Sequence, residues 1–129
     1  MPNYFLIALG GAIGSVARLW LSVQVGLLTG LKFPWGTILV NILGSLVIGF
    51  TATVTGPNGR FVVPVNFQAF VMVGLCGGFT TFSAFSLQTF ELAKDGRMIA
   101  AGANIAASVV LCLGSVALGH WLATLFGRT

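Results

Sequence analysis

The residues Gly77-Gly78-Phe79-Thr80-Thr81-Phe82-Ser83-Ala84-Phe85 set two adjacent glycines and three hydroxyls inside an otherwise apolar stretch. Where such a stretch crosses a bilayer, irregular backbone survives only if it is buried in protein or lines water. An ion or solute pathway is the chemistry this points to. Other intramembrane polar groups align with it. Asn41, Ser45 and Gly49 recur at i, i+4 and i+8. Asn104, Ser108, Cys112 and Ser115 project within about 80° of one another at ~100° per residue. Arg18 interrupts another apolar run, so it is expected to face a vestibule or bond backbone carbonyls, with snorkelling toward the interface as the competing reading.

The only acids, Glu91 and Asp95, lie together near the end of one apolar stretch. A pathway rich in donors and free of mid-span carboxylates favours a small anion over a cation. Phe82 and Phe85 are three apart on nearly one helix face, and ring edges attract anions without a charge that would trap them. Core packing is the competing reading of these rings, as helix-helix glue is for the serines. No nucleophile, base and orienting group converge, since the single histidine, His120, falls near the end of the chain. One histidine and two cysteines, Cys76 and Cys112, do not make a typical metal-ligand set or an expected disulfide.

The elements that must position these groups follow from composition. The 129 residues are 57% hydrophobic and 6% charged, with a mean hydropathy of +1.02. Soluble domains carry about 25% charged residues. The pattern excludes disordered and disulfide-rich secreted classes and indicates one all-α integral membrane domain over 1–129. Four spans are expected at roughly 4–28, 34–55, 66–93 and 98–126, each beyond the ~20 residues a helix needs to cross. Gly30 to Pro34, Thr55 to Arg60 and Lys94 to Arg97 carry the turn residues between them. The first span is read as a membrane helix, since it lacks a basic n-region and contains Arg18. Short connections make an up-down-up-down bundle with both termini on one side.

Basic residues nearly balance across that bundle. Arg60 and Arg128 sit on the side of the termini, against Lys32, Lys94 and Arg97 opposite. Insertion in both orientations is therefore expected, permitting an antiparallel homodimer. The net charge of +4 is scattered over helix ends and suggests no nucleic-acid partner. Gly10 with Gly14, and Gly11 with Ser15, have the spacing of close helix contacts in lipid, either within the chain or across a dimer.

Three segments together resemble the Fluc (CrcB) fluoride channels. They are Gly10-Gly11-Ala12-Ile13-Gly14-Ser15-Val16-Ala17-Arg18, Gly36-Thr37-Ile38-Leu39-Val40-Asn41, and Gly74-Leu75-Cys76-Gly77-Gly78-Phe79-Thr80-Thr81-Phe82-Ser83. The resemblance extends over the whole chain in span count and motif order. It implies a multi-pass protein of the bacterial inner membrane: a dual-topology antiparallel homodimer whose third helix is broken mid-membrane. Such a dimer holds two pores and passively exports fluoride. By the same resemblance Asn41 donates to fluoride, and Phe82 and Phe85 line its route. Thr37, Thr81, Ser83 and Ser108 belong to the polar lining, and Arg18 matches a first-span arginine of open role. Gly77 and Thr80 are implied to bind a structural sodium ion through backbone carbonyls.

The chain departs from the family pattern at Ala84, where a threonine is frequent, and at Asn104, where a tyrosine is. Cys112 stands where a hydroxyl would extend the polar track. Two other functions compete. A proton-coupled multidrug transporter of four spans needs a membrane-embedded carboxylate, and a non-transporting assembly subunit would use the polar stripes only as glue.

Overall fold

Asn3 starts the first helix by accepting hydrogen bonds from the Phe5 and Leu6 amides, two donors with no partner inside a helix. The computed structural model describes residues 3–127, so Arg128 lies outside the described residues. Helix α1 (Tyr4–Thr29) ends at Gly30, whose φ of +83° turns the chain. Pro34 precedes α2 (Trp35–Val54). A turn-rich connection then leads to α3 (65–79), whose middle, Phe70–Cys76, winds as a wider π turn.

Helical backbone stops at Phe79. Thr80 and Thr81 are extended, with ψ of 158° and 116°. Helix resumes as α4 (Phe82–Lys94), and Gly96, at φ +82°, leads into α5 (Met98–Gly127). Four stretches are long and apolar enough to cross a membrane: Tyr4–Thr29, Trp35–Val54, Val65–Lys94 and Met98–Phe126.

Helix α2 is the centre of the bundle, packing along α5 on one side and against α1 on another. Its Ile38, Val40 and Val54 are buried, with Leu92 of α4 and Ala101 and Ala123 of α5. Helix α1 packs along α3 through paired glycines. A Cβ on Gly10 would lie 2.8 Å from the Phe70 carbonyl oxygen and 3.1 Å from the Gly74 Cα. One on Gly78 would lie 2.6 Å from the Gly11 carbonyl oxygen. The small-residue spacing of the first span thus serves a contact within the chain.

Both ends of the described chain lie at one end of the bundle. There the Asn3 amide donates to Asn66 Oδ1 at 3.0 Å, and Arg60 Nη1 donates to the Phe126 carbonyl at 3.0 Å. At the opposite end Arg97 Nη1 donates to the Lys32 carbonyl.

Candidate functional site at the helix interruption

Two extended residues between α3 and α4 leave several peptide groups without helical partners, and the surrounding side chains receive them. Asn41, on α2, pairs with both polar groups of one residue. The Thr81 amide donates to Asn41 Oδ1 at 2.8 Å, and Asn41 Nδ2 donates to the Thr81 carbonyl at 3.1 Å. A side-chain amide here stands in for the neighbouring strand of a sheet. Thr81 also caps α4, its Oγ1 accepting from the Ala84 amide at 3.0 Å. The same hydroxyl lies 3.2 Å from Ser83 Oγ. Thr80 folds back, its amide and hydroxyl donating to the Cys76 carbonyl at 3.0 and 2.8 Å.

Arg18 reaches the interruption from α1. Its Nε donates to the Gly78 carbonyl at 3.2 Å, so a half-buried guanidinium meets the carbonyl end of α3. Positive charge is favourable there, since the helix dipole leaves its C-terminus negative. Bonding a carbonyl is one of the three courses the sequence left open for this residue.

These hydrogen bonds occupy donors that an uninterrupted helix would use itself, which frees carbonyl oxygens at the break. In an uninterrupted helix Gly77 O would accept from the Thr81 amide, and Thr80 O from the Ala84 amide. The first donor is taken by Asn41 and the second by the Thr81 hydroxyl. The oxygens of Gly77 and Thr80 are hard ligands of the type an alkali cation accepts, and unwound carbonyls of broken helices commonly serve this way. Among the described residues no group of three or more His, Cys, Asp or Glu could hold a metal.

A cavity of about 390 Å³ opens beside the interruption. Asn41, Ser45, Thr80, Thr81, Phe82, Phe85, Ser108 and Cys112 all face it. The Phe82 and Phe85 rings are 5.5 Å apart between centroids and inclined at 50°, a tilted pair. Phe82 is 79% exposed within one chain, whereas Phe85 is half-buried. Ser108 is buried, and its hydroxyl donates to Asn104 Oδ1 at 3.3 Å, so its proton is already committed. What the site can do is present amide and hydroxyl donors and ring edges to a small anion, with no carboxylate among them.

Three expected pathway residues do not border this cavity; one is Ser83, which is exposed and meets it only through its contact with Thr81. Thr37 is buried and borders a second cavity of about 600 Å³, with Ser22, Lys32, Gln88, Glu91 and Arg97. Arg18 borders neither cavity. The polar stripe of the last span also divides. Ser108 and Cys112 face the smaller cavity, Asn104 is buried against α4, and the Ser115 hydroxyl returns to the Leu111 carbonyl. Sequence reasoning passed over Gln88 and Thr89. Gln88 Oε1 is buried with no hydrogen-bond partner among the described residues. Both lie one turn beyond Phe85, a spacing that marks the same helix stripe.

Comparison with known proteins bears on this arrangement. The family model described as CrcB-like protein, Camphor Resistance (CrcB), matches residues 5–120. A protein of Methylocella silvestris, named a fluoride-specific ion channel FluC, is 55% identical over 94% of this chain and 92% of its own. One of Paramagnetospirillum magneticum with the same name is 52% identical, over 99% of this chain and 100% of its own. A third, from Opitutus terrae and again so named, is 55% identical over 93% and 91%.

Proposed function

The chain belongs to the CrcB-like family, and from that membership we propose that it is a fluoride-selective ion channel, letting fluoride leave the cytoplasm passively and so limiting its toxicity. The observation that carries this reading is the cavity beside residues 80–81, where Asn41, Thr81, Phe82, Phe85 and Ser108 meet without a carboxylate. Fluoride is small and strongly hydrated, so a narrow file of donors must replace its water. Asn41 retains one N–H beyond its bond to Thr81. Thr81 and Ser83 share a hydroxyl contact with one proton left to give. Phe82 and Phe85 supply positive ring edges on the same wall.

The working unit is an antiparallel, dual-topology homodimer in the bacterial inner membrane, with two pores and the third helix broken at bilayer depth. One chain's cavity is open on the side of Phe82, and a second copy of opposite orientation would close it. The carbonyls of Gly77 and Thr80 would hold a structural sodium ion. When bound, such an ion would offset the negative carbonyl ends left by the interruption. Thr37, in the larger cavity, belongs to the approach to the pore, and Arg18 braces the interruption.

Proteoliposomes loaded with fluoride and diluted into fluoride-free buffer test the reading. Rapid fluoride discharge with little chloride discharge is the expected result. Comparable chloride efflux would defeat selectivity, and drug-dependent proton exchange would indicate a multidrug transporter instead. No ion movement at all would leave the chain an assembly subunit.

A further inference from the structure

The last helix carries a buried amide whose hydrogen bonds lead to the main chain beneath the ring wall. Asn104 is 1% exposed. Its Nδ2 donates to Thr89 Oγ1 at 2.8 Å, and the Thr89 hydroxyl donates to the Phe85 carbonyl at 2.7 Å. Ser108 Oγ donates to Asn104 Oδ1 at 3.3 Å from the other side. The chain of bonds therefore runs from the cavity wall at Ser108, through α5, to the backbone of Phe85 in α4.

Helix α4 has little else within the chain to orient it. It follows directly on the extended residues Thr80 and Thr81, rests mainly on α5, and touches α2 only sparsely. Its first turn is set by Asn41 through Thr81. Its second turn, where Phe85 sits, is set by Asn104 through Thr89. Apolar contact alone does not choose a rotation here, because lipid competes equally for an apolar helix face. A directional bond does.

We infer that Asn104, with Thr89, is a positioning residue that fixes the rotation of the second turn of α4 and thereby the placement of Phe85 on the pore wall. This rests on the channel reading above and adds a residue that does not itself face the cavity. Asn104 also rules out a direct pathway role for itself: both ends of its amide are engaged, and it is sealed from the cavity.

Fluoride efflux from proteoliposomes tests the inference in a cycle with Phe85. Asn104→Leu and Thr89→Val are each expected to lower flux at least about tenfold while the protein still purifies at the wild-type oligomeric size. The double variant should be no worse than either alone, since both break one chain of bonds. Thr89→Ser, which restores the hydroxyl, should recover most of the lost flux. In a Phe85→Ile background, Asn104→Leu should lower flux less than about twofold further. Full additivity with Phe85→Ile, or wild-type flux in Asn104→Leu, would overturn the proposal. Should Asn104→Leu not fold, Thr89→Val carries the same cycle.

A readout independent of transport separates this claim from the channel reading. With 4-fluorophenylalanine at position 85, the ¹⁹F resonance should shift in Asn104→Leu, whereas one at Phe50 should not. If wild-type protein moved no fluoride and the resonance still shifted, the channel reading would fail and the positioning claim would stand. No shift at position 85, or equal shifts at both positions, would remove the positioning claim whatever the flux.

Discussion

A carboxamide carries a donor and an acceptor at the spacing of a peptide group, and Asn41 uses it as one against Thr81. Removing it takes the partner from both the N–H and the C=O of Thr81. Each unpaired group costs about 1–3 kcal/mol. Asn41→Leu should therefore melt at lower temperature in detergent as well as lose flux, and an unchanged melting temperature would mean the pair is dispensable. Asn41→Asp keeps an acceptor for the Thr81 amide but turns a second oxygen toward the Thr81 carbonyl. It also sets negative charge beside the pathway, so flux should fall even where the fold persists. Phe82→Ile and Phe85→Ile test the ring wall, because they keep bulk and remove the polarised edge. Each should cut fluoride efflux and leave the oligomer intact; unchanged efflux would reduce the rings to packing.

At the scale of elements, α1 and α3 approach until backbone meets backbone. A methyl on Gly78 would sit 2.6 Å from the Gly11 carbonyl oxygen, and no side-chain rotation can relieve that. Gly78→Ala must force the helices apart, an overpacking cost of typically about 1–3 kcal/mol. The displacement would also carry the Gly78 carbonyl away from Arg18. Loss of thermal stability in detergent is the expected outcome. Gly114→Ala is the matched control, since a Cβ there meets nothing within 4 Å. Equal behaviour of the two variants would show that the close approach carries no stability.

At the scale of the whole molecule, charge at the two ends bears on how the chain inserts. Lys32, Lys94 and Arg97 belong to one end, and Arg60 to the other, with Arg128 beyond the described residues. So small a bias is what the proposed dual topology requires. A cysteine introduced at Asn58, in the connection beside Arg60, should react with an impermeant maleimide in roughly half the molecules of intact spheroplasts. Labelling of nearly all or nearly none would exclude dual topology. Loss of one orientation should also abolish flux, because the proposed pore needs both.

The number of spans and the shared end of the termini were legible in the residue order. So were the absence of mid-span carboxylates and an irregularity within 77–85, which the structure confines to Thr80 and Thr81 while both glycines stay helical. Each depends on a local cost, of charge, glycine or unpaired backbone in hydrocarbon. The family, too, was written in local motifs such as Gly74 to Ser83. Helix rotation was not legible. Lipid and protein interior are equally apolar, so hydropathy does not say which face turns inward. Only the tertiary structure decided that Gly10 meets Gly74, that Arg18 meets Gly78, and that Thr37 joins a different cavity from Asn41. It likewise decided that Asn104 lies sealed under Phe85 rather than along the track with Ser108 and Cys112. Those are choices of packing and hydrogen-bond partner between residues far apart in the chain, and no local pattern encodes them.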